Sequence, residues 1–187
     1  MKTSNTLVIA SSNQGKIIEI SEELQDLKLE LKLQSDFNIP DAEENGLTFF
    51  ENALIKARHA AKFTGLPVLS DDSGLVIDAL KGRPGIYSAR FAGKNATSKE
   101  NIDKVLHELK DVPFEQRTAC FYGVLIYVKH EFDPMPRLFE GIWYGQILFE
   151  PKNLNGFGYD PIFYVPTHQC SAAELPLHVK NQISHRG

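Results

Sequence analysis

The sequence is short of cysteine, of long apolar runs and of basic charge, and each shortage removes a class of function. Only two cysteines, Cys120 and Cys170, occur in 187 residues. Neither sits in a metal-ligand or redox spacing, so both read as free thiols of a reducing compartment. The N-terminal apolar run, Thr6 to Ala10, has five residues. That is too short for the apolar region of a signal peptide and far too short for a membrane span. Asn95-Ala96-Thr97 has the form of a glycosylation sequon, silent without a secretory signal. A cytoplasmic protein with no membrane association is expected. The formal net charge is −4, with no run of basic residues to displace counterions from a duplex, so no nucleic-acid partner is expected. A small anionic ligand remains open, because it needs only a few converging cations and backbone N–H groups. There is no Ser-His-Asp signature, no HExxH and no cysteine cluster. His59, His107, His130, His168 and His178 lack metal-ligand spacing and read as surface residues.

What is present is an ordinary globular composition, 42% apolar and 24% charged. A chain of this length fits one domain, or one core with a smaller lobe, and buries roughly 70% of its unfolded surface. No repeat, low-complexity tract or linker divides it. Thr6–Ser11 has the branched, apolar character of a buried strand and breaks at Ser12-Asn13-Gln14-Gly15. Ile17, Ile18, Ile20 and Leu24 then recur at helical spacing. Leu29–Leu33 alternates as a half-exposed strand. Thr48 with Glu51 predicts a capping box opening a second helix, whose small face is Phe49, Ala53, Ala57, Ala60 and Ala61, ended by Gly65 and Pro67. Two short strands, Pro67–Leu69 and Leu75–Leu80, are predicted on either side of a polar insertion, Ser70–Gly74. A loop over 82–93, a helix over Ser98–Leu109, long strands Thr118–Val128 and Arg137–Phe149, and a short strand Ile162–Val165 follow. Ala172 to Gly187 reads as a short helix or turn and then a loop. This mixture predicts an α/β fold with a mixed sheet.

Four constellations could carry chemistry. Ser11-Ser12-Asn13-Gln14-Gly15-Lys16 joins a buried strand to a helix, a place where free N–H groups and the helix dipole suit a phosphate. It lacks the earlier glycine of a P-loop and has Ile17 where that motif needs Ser or Thr. A plain helix cap with a surface lysine is the alternative. Glu43-Glu44 and Asp71-Asp72 are acidic pairs. Magnesium is usually held by one or two carboxylates plus waters and substrate phosphates, while solvated turns are the competing reading. Adjacent strand residues point to opposite sides, so Asp71 and Asp72 are expected to differ in role. Lys56 lies on the second helix and matters only if its end faces the site. Gly156-Phe157-Gly158-Tyr159-Asp160-Pro161 could clasp a flat base, with Phe157 or Tyr159 stacking and Asp160 hydrogen-bonding, or could be a tight turn around a packed ring. Ser184-His185-Arg186-Gly187, after Lys180, offers donors for a purine carbonyl or phosphates, or is a solvated tail.

Taken in order and spacing, SSNQGK, EENGLTFFENALIKA, LSDDSGLVIDALKGRPGIYSARFAG, GFGYDPIF and AELPLHVKNQISHRG closely resemble the inosine/xanthosine triphosphate pyrophosphatase family, the RdgB-like non-canonical purine NTP pyrophosphatases. The matching stretches cover nearly the whole chain. The resemblance implies an elongated, curved mixed sheet with flanking helices, forming two lobes around a central cleft, within a single catalytic domain over 1–187 that forms a homodimer. It implies that Ser11, Ser12, Asn13, Gln14, Gly15, Lys16 and Lys56 hold the triphosphate. Glu44 and Asp72 would bind Mg²⁺, with Asp72 as general base. Ser73 would contact the nucleotide, and Phe157, Gly158, Tyr159, Asp160, Lys180, His185 and Arg186 would clasp the base. The residue pattern alone does not choose Glu44 over Glu43. Members of the family carry a helical tail beyond the last motif; the sequence here ends at Gly187. The implied reaction is Mg²⁺-dependent hydrolysis of ITP, dITP and XTP to monophosphate and pyrophosphate. The rivals are a Maf-like pyrophosphatase acting on pyrimidine or modified nucleotides, and a nucleotide-binding regulator without turnover.

Overall fold

Strand β1 (Thr6–Ala10) forms on a short apolar run, with Val8, Ile9 and Ala10 fully buried. In the computed structural model, which describes residues 5–153 and 157–187, β1 lies between two parallel neighbours. These are β2 (Glu30–Leu33), with Thr6 opposite Glu30, and β3 (Val68–Ile77), with Val8 opposite Val68. Parallel neighbours require crossovers, and helices α1 (Gln14–Leu24) and α2 (Phe49–Thr64) supply them. Four further strands complete a seven-stranded mixed sheet in the order β2-β1-β3-β4-β5-β6-β7. They are β4 (Thr118–Val128), β5 (Arg137–Ile147), β6 (Phe163–Val165) and β7 (Cys170–Ser171). The last pairings, β5 with β6 and β6 with β7, are antiparallel. Helices α3 (Ser98–Glu108) and α4 (Leu177–Ile183) follow β3 and β7 in the chain. The expectation of an α/β fold with a mixed sheet holds.

The chain forms two compact units. The first comprises Met1–Asp72, Gly123–Glu140 and Arg186; the second comprises Ser73–Tyr122, Gly141–His185 and Gly187. In the first, Leu7, Ile9, Ile17, Ile20 and Leu69 form an apolar cluster with Leu125 and Tyr127 against it. The capping box read from Thr48 and Glu51 is present, and Gly65 ends α2 at φ 64°. The α2 face of Ala53, Ala57, Ala60 and Ala61 is fully buried. Side chains this small let a helix approach its neighbours closely, and the Ser70 hydroxyl donates to the Ala53 carbonyl at 2.7 Å. In the second unit the core gathers Leu75, Ile77, Val105, Leu109, Trp143, Ile147, Tyr159, Ile162 and Phe163.

One expectation fails. Ser70–Gly74 is not an insertion between two strands: β3 runs unbroken from Val68 to Ile77. Ser70, Asp71 and Asp72 are buried within it. Polarity at these positions argued for a turn, but buried charge is tolerated where it is paired, and partners drawn from distant parts of the chain make the strand possible.

Candidate active site

The first unit assembles paired cations and carboxylates around the middle of β3. Asn13 caps α1, its side chain accepting the Lys16 N–H at 3.3 Å, while the Ser11 hydroxyl accepts the Asn13 N–H. The cap expected of this loop is real, but Lys16 is no surface lysine. Its ammonium lies 2.5 Å from Asp71 Oδ1, with the side chain 13% exposed. Burial lowers the Lys16 pKa, and Asp71 opposes that shift. Arg186 donates from Nε to Asp71 Oδ2 at 3.1 Å and from Nη1 to Glu19. Burial alone would raise the Asp71 pKa, yet Arg186 and Lys16 outweigh it and hold the carboxylate well below its ordinary range.

Asp72 has a separate partner set, as the alternation of strand residues predicts. Lys56, projecting from α2, places Nζ 2.7 Å from Asp72 Oδ1 and 3.5 Å from Glu44 Oε1. The structure thus distinguishes Glu44 from Glu43, which is exposed. Asn52 steadies the approach to α2 by accepting the Gly46 N–H at 2.9 Å. A Cβ at Gly46 would come within 2.6 Å of Glu51 Cβ and 2.8 Å of Asn52 Oδ1, so the chain beside Glu44 passes where only glycine fits. Burial raises the Asp72 pKa against the pull of Lys56.

Asp72 Oδ2 is buried with no hydrogen-bond partner among the described residues. A buried carboxylate oxygen left bare next to a second carboxylate suits a cation that draws its other ligands from elsewhere. Among the described residues no group of three or more His, Cys, Asp or Glu side chains could hold an ion unaided. Two carboxylates suit an ion that keeps waters and takes phosphate oxygens better than a metal needing a closed protein cage.

The second unit holds Ser73, Phe157, Gly158, Tyr159, Asp160, Lys180 and His185; Asn155 and Gly156 of the glycine-rich loop lie outside the described residues. Tyr159 is buried in the core, and its hydroxyl donates to the Ser88 carbonyl at 2.8 Å. Ser88 Oγ in turn accepts the Leu75 N–H, joining this loop to β3. Of the two rings considered for stacking, Phe157 is the exposed one, at 38%. Asp160 is a buried brace: it accepts from Lys180 Nζ at 2.5 Å and from the Phe157 N–H at 3.1 Å. Gly158 takes φ 56°, the left-handed conformation that lets the loop turn between them. His185 stacks on Phe121, ring centroids 5.2 Å apart.

Residues 7–187 match the Ham1 family. The chain belongs to that family. A Ham1 relative from Photobacterium profundum, named dITP/XTP pyrophosphatase, is 53% identical over 97% of this chain and 92% of its own. One of the same name from Coxiella burnetii is 54% identical, over 97% and 90%. The solved structure of a HAM1 protein from Coxiella burnetii superposes with a TM-score of 0.89 at 54% identity, covering 97% of this chain and 92% of that one.

Sequence reasoning missed Glu19, Asn52 and Ser88. Glu19 lies off the Ile17–Ile20–Leu24 stripe and gave no reason for burial. It is buried because Arg186, 167 residues away, bonds to it. Arg186 also differs from the other residues assigned to the base, since it belongs to the first unit and pairs with Asp71 and Glu19.

Proposed function

We propose that this Ham1 chain hydrolyses non-canonical purine nucleoside triphosphates, dITP, XTP and ITP, to the monophosphate and pyrophosphate. The observation that carries this reading is the bare, buried Asp72 Oδ2 beside Glu44, with Lys56 between the two carboxylates. The name dITP/XTP pyrophosphatase borne by relatives about half identical over nearly their full length supports the substrate class. The family match over residues 7–187 supports a single catalytic domain.

Glu44 and Asp72 would hold Mg²⁺, which when bound supplies positive charge to the phosphate oxygens. The Ser11–Lys16 loop and Lys56 bind and orient the triphosphate, and their cations offset the charge that develops on the leaving pyrophosphate. Asp72 takes a proton from the water that attacks the α-phosphorus; the new P–O bond forms as the bond to the bridging oxygen breaks. Phe157 offers a ring for the base, while Lys180 and His185 are the donors proposed for a 6-keto oxygen. A 6-amino purine would leave such donors unmatched, at about 1–3 kcal/mol per group.

A cytoplasmic location is part of the proposal, because the free nucleotide pool is the proposed substrate source. No helix among the described residues is long and apolar enough to cross a membrane. A homodimer is also proposed, supported by the exposed Phe132, Met135, Leu138 and Phe139 of the first unit.

The test is a panel of ITP, dITP, XTP, GTP, ATP and pyrimidine triphosphates with Mg²⁺, with products identified. Pyrophosphate release from the hypoxanthine and xanthine nucleotides is expected, and Asp72→Asn should lower kcat by roughly 10²–10⁴. Orthophosphate release, or equal rates on ATP and ITP, would refute the reading. Binding without turnover would favour a regulator.

A further inference from the structure

Two buried side-chain atoms of the first unit have no hydrogen-bond partner among the described residues, Asp72 Oδ2 and Asn52 Nδ2. Asn52 is fully buried. Its Oδ1 accepts the Gly46 N–H at 2.9 Å, which fixes the orientation of the amide, because a flipped NH₂ would face that N–H. The group left over is therefore a donor. Asn101, in the second unit, shows what a buried asparagine does when it only braces the chain. Its Oδ1 accepts the Ala92 N–H at 2.8 Å, and its Nδ2 donates to the Ala89 carbonyl at 3.2 Å. Asn52 completes only the first half of such a set. An unmet buried donor is costly, so a chain that keeps one needs a reason for it.

Its place on α2 supplies the reason. Ser70 and Asp72 are two residues apart on β3 and share a face. Ser70 Oγ donates to the Ala53 carbonyl at 2.7 Å, and Lys56 Nζ to Asp72 Oδ1 at 2.7 Å, so that face meets α2. Asn52 lies one turn before Lys56, with about 5–6 Å between their Cβ atoms. A helical side chain leans over the turn preceding its own Cα, so Lys56 reaches back over the turn of Asn52 to Asp72 and Glu44. The unmet donor and the bare carboxylate oxygen thus flank one lysine, and they do not bond each other.

We propose that Asn52 is a further binding residue of this site: its Nδ2 donates to an oxygen that arrives with the metal-bound triphosphate. The inference rests on the proposed roles of Glu44, Lys56 and Asp72. A cation satisfies Asp72 Oδ2 but repels an N–H, so the amide needs an acceptor. The ligand brings two kinds, a water of the ion's shell and a phosphate oxygen. Asn52 Oδ1 meanwhile holds the Gly46 N–H, two residues past Glu44. One side chain then anchors the loop of a metal-binding carboxylate and meets the ligand.

The experiment follows the Asn52 side-chain amide of the wild-type chain by ¹⁵N–¹H NMR, assigned by through-bond correlation to its own backbone. The probes are Mg²⁺ alone and then Mg²⁺ with inorganic pyrophosphate, with calorimetry showing when each is bound. On binding, the Asn52 amide protons should move downfield and exchange more slowly with solvent, while the Asn101 amide, already bonded, stays in place. A shift with Mg²⁺ alone assigns the oxygen to the ion's water, and a shift only with pyrophosphate assigns it to a phosphate. Asn52→Leu should weaken the ligand that moves the signal about tenfold, the scale of one lost hydrogen bond to a charged group.

Saturated binding of both probes with the Asn52 signal unmoved would overturn the proposal, whether or not Asn52→Leu folds. A shift of equal size at Asn52 and Asn101 would do the same, as a change spread through the chain. If neither probe binds the wild-type protein, the proposed metal and phosphate site itself fails, and not merely the part of Asn52 in it.

Discussion

Replacing Lys180 by methionine keeps most of the side chain's volume and removes the ammonium that lies 2.5 Å from Asp160 Oδ2. Both side chains are at least nine-tenths buried, at 8% and 5% exposure. Breaking such a pair from one side leaves a carboxylate in a medium that solvates it poorly, and typically costs about 3–5 kcal/mol. For a chain of this length 1 kcal/mol corresponds to roughly 2–4 °C in Tm, so a fall of about 6–20 °C is expected. Lys180→Met combined with Asp160→Asn contains no stranded charge, and should recover to within about 2 kcal/mol of wild type. Urea unfolding of wild type, both single variants and the double variant gives the coupling directly. Because Asp160 also accepts the Phe157 N–H at 3.1 Å, the single variant should raise KM for ITP at temperatures where it is still folded. A loss under about 1 kcal/mol for Lys180→Met, with coupling under about 0.5 kcal/mol, would refute the buried-brace account.

Arg117, fully buried, donates to the Leu109, Val112 and Leu148 carbonyls and stacks 4.0 Å from the Phe149 ring centroid. Leu109 O keeps the Val112 N–H, so Arg117→Met deprives two carbonyls of this donor and should cost about 3 kcal/mol in urea unfolding, with kcat unchanged. Lys56 lies between Glu44 and Asp72, and a cation there competes with a metal. Lys56→Met should therefore bind Mn²⁺ about tenfold more tightly without nucleotide, by calorimetry, and Asp72→Asn should reverse the gain. Burial, with Asp78 adding to it, raises the Cys120 thiol pKa, and burial with Glu174 raises that of Cys170. A raised thiol pKa means less thiolate near pH 7, so iodoacetamide should label both more slowly than free cysteine, with rates climbing as pH rises past the ordinary thiol range.

How much of this was legible in the sequence depended on the range of the interactions involved. Thr48, Glu51 and Gly65 bound α2 through contacts a few residues apart, and local capping chemistry predicts them. The alanine face of α2, the β1 run and the α/β class follow from periodicity, because burial repeats with the geometry of a helix or strand. The motifs also sufficed to point to the family. Local reasoning failed at Ser70–Gly74, where polar residues signalled a turn and the structure has unbroken strand. The groups that make that strand tolerable are far away in the chain: Lys16, Lys56 and Arg186. Charge pairing has no sequence period, so the sequence by itself determined which residue types were available and which local elements they would form. Only the tertiary structure decided that Glu44 rather than Glu43 faces Lys56, that Tyr159 is core and Phe157 surface, and that Arg186 joins Asp71 and Glu19. Each of these is set by which distant chain segment arrives to balance a buried charge or cover an apolar ring.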